Sequence, residues 1–125
     1  MRFSIITTTF NSIKTIKNCI KSLNSQNYAD IQLIWIDNNS SDGTYEYLQK
    51  NRTPNTKLIK VKDTKIVEAW NLGIDQSEGD VICFLNSDDQ YFSEKYQTQK
   101  AMDMYVRSQY QISILSLHLS KFFLY

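Results

Sequence analysis

Three short runs in the chain are rich in apolar and β-branched residues, with no regular alternation of apolar and charged ones: FSIITTT at 3–9, IQLIWID at 31–37 and DVICFL at 80–85. A strand with one wet face alternates apolar and polar residues, whereas a strand covered on both faces does not. Between the runs lie stretches of helical period. Ile13, Ile16, Ile20 and Leu23 recur every three or four residues with lysines between them. The spacing predicts an amphipathic helix over 12–26, with Asn11 or Ser12 at its cap. A short helix over 43–50 is expected, then an alternating strand TKLIKVK at 56–62. KIVEAWNLGIDQS at 65–77 reads as a helix with Ile66, Val67, Trp70 and Ile74 on its apolar side and Gly79 as its stop. A polar helix-compatible stretch over 93–108 follows the last run. The order β-α-β-α-β-α-β implies a mostly parallel, Rossmann-like α/β sheet with right-handed crossovers and helices on both faces.

The polar residues are not scattered. TTTFN, IDNNSSDG and LNSDD each sit at the carboxyl end of a strand, where parallel sheets bind ligands. The last contains two adjacent carboxylates, Asp88 and Asp89. Side by side they repel unless protons or a cation intervene. Oxygen ligands suit a hard divalent cation, and Mg2+ completes its shell with water and substrate phosphates. The pair therefore points to a metal-bound diphosphate; the competing reading is a solvated acidic turn. Neither a G-x-G-x-x-G nor a G-x-x-x-x-G-K-[ST] motif is present, so neither dinucleotide nor P-loop chemistry is indicated.

Composition narrows the class. A chain of 125 residues, 42% hydrophobic and 22% charged, suits one compact domain. A net charge of +1 gives no electrostatic case for nucleic acid or an anionic membrane. Cys19 and Cys83 form no CxxC and read as buried hydrophobes in a reducing compartment. The N-terminus lacks a signal-peptide pattern, and no apolar run reaches the roughly 18–20 residues of a spanning helix. The apolar tail ISILSLHLSKFFLY at 112–125 carries Lys121, and His118 has no partner at ligand spacing.

Four ordered blocks, SIITTTFN, IWIDNNSSDGT, EAWNLGI and EGDVICFLNSDD, resemble the family 2 glycosyltransferases, nucleotide-sugar enzymes with the GT-A fold. The resemblance covers residues 2–92. It implies an inverting, metal-dependent transfer of a sugar, of hexosyltransferase type, from a UDP-sugar donor to a glycan or lipid-linked acceptor in bacterial cell-surface polysaccharide or lipopolysaccharide assembly. Thr9, Phe10 and Asn11 match the loop that meets the nucleotide, and Asp37 the strand end that meets the base. Asn39, Asp42 and Asn71 match further donor-side positions, with turn chemistry as the competing reading for Asn39 and Asp42. For Asn71 and Gly73 the competing reading is helix packing and helix ending. Asn86, Asp88 and Asp89 match the "DXD" region, with Asn86 replacing its first Asp; Asp88 and Asp89 are the expected ligands of Mg2+ or Mn2+.

The family's general base lies in a second half. Past Asp89 the only acidic residues are Glu94 and Asp103, and neither matches that base motif. Residues 1–110 are thus expected to form a nucleotide-sugar-binding half-domain, incomplete on its C-terminal side, with 111–125 as an atypical apolar tail. A broken reading frame, a tail that covers the sheet, or docking to a partner or membrane surface would each account for it. The alternative function is a non-catalytic nucleotide-binding module. The expected location is the cytoplasm, at the inner face of the membrane if lipid-linked acceptors are used.

Overall fold

A computed structural model of the chain describes residues 2–26 and 30–91, and the backbone of 122–124. The elements are β1 (Phe3–Thr9), α1 (Ile13–Asn24), β2 (Ile31–Asp37), α2 (Thr44–Lys50), β3 (Thr56–Lys60), α3 (Ile66–Asp75), β4 (Val81–Phe84) and β5 (Phe122–Leu124). They build one parallel sheet of order β3-β2-β1-β4-β5. Three residues of the apolar tail thus pair with β4 as an edge strand. The helix expected over 93–108, Glu94, Asp103 and His118 lie outside the described residues.

Strand pleating sends alternate side chains to two cores. Phe3 and Ile5 of β1, Leu33 and Trp35 of β2, and Val81 and Cys83 of β4 pack with Ile16, Cys19, Ile20 and Leu23 of α1 and Leu48 of α2. Ile6, Ile34, Ile36 and Ile82 face the other way, onto Ala69 of α3. Both faces of β1, β2 and β4 are covered, which is why Asp37, at the end of β2, is the one charged residue in these three strands. Full burial of a side chain such as Ile5 or Ile34 stabilises the fold by about 1.5–3 kcal/mol. Both cysteines are buried free thiols.

Two expectations about α3 are corrected. Ile66 and Val67 do not face the core; they are 51% and 57% exposed. The buried stripe is Ala69 and Gly73, four residues apart, while Trp70 meets Phe84 with ring centroids 5.3 Å apart. The small residues allow close approach: a Cβ on Gly73 would lie 2.6 Å from Ile6 Cγ2. Nor does Gly79 stop the helix, which ends at Asp75. The Ser77 hydroxyl donates to the Gly73 carbonyl at 2.8 Å, and Lys57 Nζ donates to the Gln76 carbonyl at 3.0 Å, so the helix end is satisfied locally. Gly79 instead lies against β1, where a Cβ would come within 2.7 Å of the Ser4 amide nitrogen and 2.8 Å of the Arg2 carbonyl oxygen.

Gly79→Ala is therefore expected to destabilise more than Gly73→Ala, because the neighbours at 79 are backbone and cannot rotate away. At Gly73 an overpacking cost of about 1–3 kcal/mol is offset by the helix propensity of alanine, worth about 1 kcal/mol. Thermal melts of the two variants should show Gly79→Ala the lower; the reverse order would contradict this packing.

Candidate functional site

The strand order reverses between β1 and β4: β2 and β3 extend the sheet on one side of β1, β4 on the other. The loops leaving β1 and β4 diverge there and leave a crevice at the carboxyl edge. A cleft of about 530 Å³ occupies it. Thr8, Thr9, Phe10 and Ser12 line it from β1 and its loop, and Ile36 and Asn38 from the end of β2. Thr64, Ile66 and Ala69 line it from the start of α3, and Asn86, Ser87 and Asp88 from the loop after β4. Its volume is that of a small-molecule site. Phe10, at 64% exposure, and Ile66 offer it apolar surface.

Two carboxylates shape the cleft without lining it. Asp37, opposite Thr9 in the β1–β2 register, has no exposed surface. Its Oδ1 accepts from the Thr9 hydroxyl at 2.8 Å and the Ser40 hydroxyl at 2.6 Å, and its Oδ2 from the Ser40 amide at 2.9 Å. Ser40 Oγ in turn accepts from the Asn11 amide, and Asn11 Oδ1 from the Ser41 amide, both at 2.9 Å. The second carboxylate is Asp42. Its Oδ2 accepts from the Ile13 amide at 3.0 Å, at the first residue of α1. Its Oδ1 accepts from the Thr44 amide and hydroxyl, at the first residue of α2. Ser12 holds the cap position of α1, as expected, but its own side chain makes no capping bond. Asn11 and Asn39 take left-handed backbone angles, φ 48° and 54°, which asparagine tolerates better than most residues.

The acid loop after β4 is fastened to α1. The Asp89 amide donates to the Asn86 carbonyl at 3.0 Å, and Asn86 Nδ2 to Asp89 Oδ2 at 3.1 Å. Ser87 Oγ donates to Ser12 Oγ at 3.0 Å, Cys19 Sγ contacts the Asn86 carbonyl at 3.7 Å, and the Tyr91 amide donates to Ser22 Oγ at 3.1 Å. Burial, then the charges of Asp89 and Asp88, push the Cys19 thiol up to about 12. Among the described residues the ion pairs involve Arg2 and Lys57 at the opposite edge of the sheet, and neither Asp88 nor Asp89 meets a cation. No group of three or more His, Cys, Asp or Glu gathers among them. Two uncompensated carboxylates beside an open cleft fit a divalent cation that takes its other ligands from water and phosphate.

The cleft brings together Thr9, Phe10, Asn86 and Asp88 of the expected residues. It does not bring in Asp37, whose buried carboxylate already accepts three hydrogen bonds from Thr9 and Ser40. Asn11, Asn39 and Asp42 belong to the loop framework around it, and Asn71 lies exposed on α3, away from the Ala69–Gly73 stripe. Asn38 was missed. The pleat gives it away: Leu33, Trp35 and Asp37 share one face of β2, so Ile36 and Asn38 share the other, where the cleft lies. Asn38 Nδ2 donates to the Thr64 carbonyl at 3.0 Å and its Oδ1 accepts from the Thr64 amide at 3.2 Å, which fixes the amide's orientation.

A pH dependence follows from Asp42. Burial opposes its ionisation, but the bonds from the Thr44 hydroxyl and the Ile13 and Thr44 amides prevail and hold its carboxyl below the ordinary 3.8. A lowered folded pKa contributes stability that is present above the ordinary value and lost as pH falls through the folded one. Melting temperature should therefore fall more steeply with acidification below about pH 4 in the wild-type chain than in Asp42→Asn. Parallel curves for the two would contradict it.

Comparison with known proteins gives a consistent neighbourhood. The sequence model described as Glycosyl transferase family 2 matches residues 4–117. The chain is 31% identical over 100 residues to the amylovoran biosynthesis glycosyltransferase AmsB of Erwinia amylovora, covering 76% of this chain and 33% of that protein. It is 30% identical over 110 residues to the GalNAc(5)-diNAcBac-PP-undecaprenol beta-1,3-glucosyltransferase of Campylobacter jejuni, covering 83% of this chain and 36% of that one. The crystal structure of S. aureus TarS 1-349 in complex with UDP-GlcNAc superposes with a TM-score of 0.75 at 27% identity, covering 88% of this chain and 32% of that one. Its complex with UDP gives 0.73 at 28%. The chain spans about a third of the length of the curated relatives it matches.

Proposed function

The chain belongs to glycosyl transferase family 2, and on that premise we propose that residues 2–91 form the UDP-sugar-binding part of an inverting, metal-dependent transferase. The observation that carries this reading is the cleft at the strand-order reversal, with an aromatic ring, an oriented amide and a carboxylate on its lining. The exposed face of Phe10 suits a planar base. Asn38, held by Thr64, retains one amide N–H and one lone pair. These suit the imide edge of uracil, an N–H between two carbonyls. Thr8 and Thr9 add hydroxyl-bearing side chains to the same floor, although the Thr9 hydroxyl proton is committed to Asp37.

Asp88 and Asp89 would hold Mg2+ or Mn2+, which would supply positive charge against the departing diphosphate. Among the described residues Asp88 is the only carboxylate lining the cleft. With Asp88 engaged in this way, no general base is assigned to these residues and their role is donor binding. That distribution equally supports a non-catalytic nucleotide-binding module as the behaviour of the 125 residues alone. A polyprenol-linked acceptor, in keeping with the Campylobacter relative's name, would set the reaction at the inner membrane surface.

Calorimetric titration with UDP, CDP and GDP, each with and without Mn2+, tests the reading. UDP should bind most tightly and gain about tenfold or more from the metal. A folded chain that gives no heat with UDP under either condition would end it.

A further inference from the structure

The N-terminus of α1 is the point where both sides of the cleft are tied. The β1 loop enters it through Phe10 and Ser12, and the acid loop rests on it through the Ser87–Ser12 contact. The helix's own cap residue leaves the Ile13 amide unsatisfied, and a carboxylate from another loop, Asp42, takes it. The same carboxylate binds the Thr44 amide and hydroxyl, while Thr44 Oγ1 accepts from the Ser12 amide at 2.9 Å. Asp42 and Thr44 thus clamp the first residues of α1 to those of α2 with four hydrogen bonds.

We propose that Asp42 is a positioning residue of the donor site, which sets the Phe10 loop and the Asp88 loop together by fixing the start of α1. It does this without touching the donor: both of its oxygens are occupied by protein donors, and it is absent from the cleft lining. The carboxylate is specifically suited, since it accepts on both oxygens at once and places negative charge at two helix N-termini. An amide of the same shape would turn an N–H toward one of those donors. The proposal rests on the cleft being the UDP site, and it extends that reading to a residue outside the cleft.

The experiment compares wild type, Asp42→Asn and Thr44→Val by amide ¹H–¹⁵N spectra of the free chain and by UDP titration with Mn2+. Asp42→Asn should shift the amides of both Phe10–Ser12 and Asn86–Asp89 before any ligand is added, and weaken UDP about tenfold well below its melting temperature. Thr44→Val, which keeps the carboxylate and its amide bonds but loses both bonds of the Thr44 hydroxyl, to the Ser12 amide and to Asp42, should shift the same two loops and weaken UDP by a smaller factor. It also decides the matter if Asp42→Asn does not fold. Lower melting temperatures with unchanged UDP affinity would reduce the clamp to a structural role and overturn the proposal. So would weakened binding with the two loops unshifted in the free chain, which is the signature of direct contact. A wild-type chain that does not bind UDP would instead remove the nucleotide reading, and this proposal with it.

Discussion

Asp37→Ala is expected to lower the melting temperature by more than about 10 °C. The side chain has no exposed surface, and its removal strands the Thr9 hydroxyl and both donors of Ser40 in the interior. Each buried donor left without an acceptor costs about 1–3 kcal/mol. Even with partial rearrangement the sum is about 3 kcal/mol or more, a large share of the about 5–15 kcal/mol that holds a domain folded. In a chain of this size each kcal/mol moves the midpoint by several degrees. Asp37→Asn keeps one acceptor oxygen and should fall between. A residue whose business was the base would behave differently, with UDP binding lost and the melt nearly unchanged. Calorimetric melting of the two variants separates a strand-end brace from a ligand contact.

Asp88→Ala is expected to do the reverse: to leave the melting temperature nearly unchanged while abolishing the gain in UDP affinity from Mn2+, a loss of about tenfold or more. Asp88 is exposed, lines the cleft and stands beside a second carboxylate, so its removal relieves like-charge repulsion and strands no buried donor. The metal-free affinity should change much less, because on the proposed reading the base end rests on Phe10 and Asn38, which the substitution leaves in place. Adding Asp89→Ala removes the remaining charge and frees the Asn86 amide. Equal UDP titrations of wild type and Asp88→Ala in Mn2+ would exclude Asp88 as a cation ligand, and equal titrations of wild type and the double variant would exclude the acid loop as the cation site.

The contrast between these two aspartates marks how far the sequence could be read. The sheet was legible because burial on both faces leaves a simple trace: β1 and β2 begin and end where FSIITTT and IQLIWID do. The rim was legible for the same reason, since polar residues at the ends of buried strands have one place to go. What does not follow is which polar residue faces the cleft and which holds the frame. Asp37 and Asn38 are adjacent and chemically alike, yet the pleat buries one and opens the other. Asp42 bonds locally to Thr44, two residues on, but also reaches Ile13 across two loops, and no local spacing encodes a pairing of 29 residues. In α3, apolarity pointed to Ile66 and Val67 as core, but the sheet selected Ala69 and Gly73 because small residues let the backbone approach. Hydrophobic period locates an element, while side-chain size decides which stripe is buried.

On the proposed reading, the cleft between Phe10, Asn38 and Asp88 takes a UDP-bound divalent cation. Paramagnetic broadening reports where such a cation sits: amide spectra of the wild-type chain with UDP are recorded as Mn2+ replaces Mg2+. The structure predicts selective loss of signals from Asn86–Asp89, then from Phe10–Ser12, with Lys57 and Glu78 at the far edge of the sheet retained. Broadening centred on that far edge, or uniform broadening that UDP does not change, would contradict it.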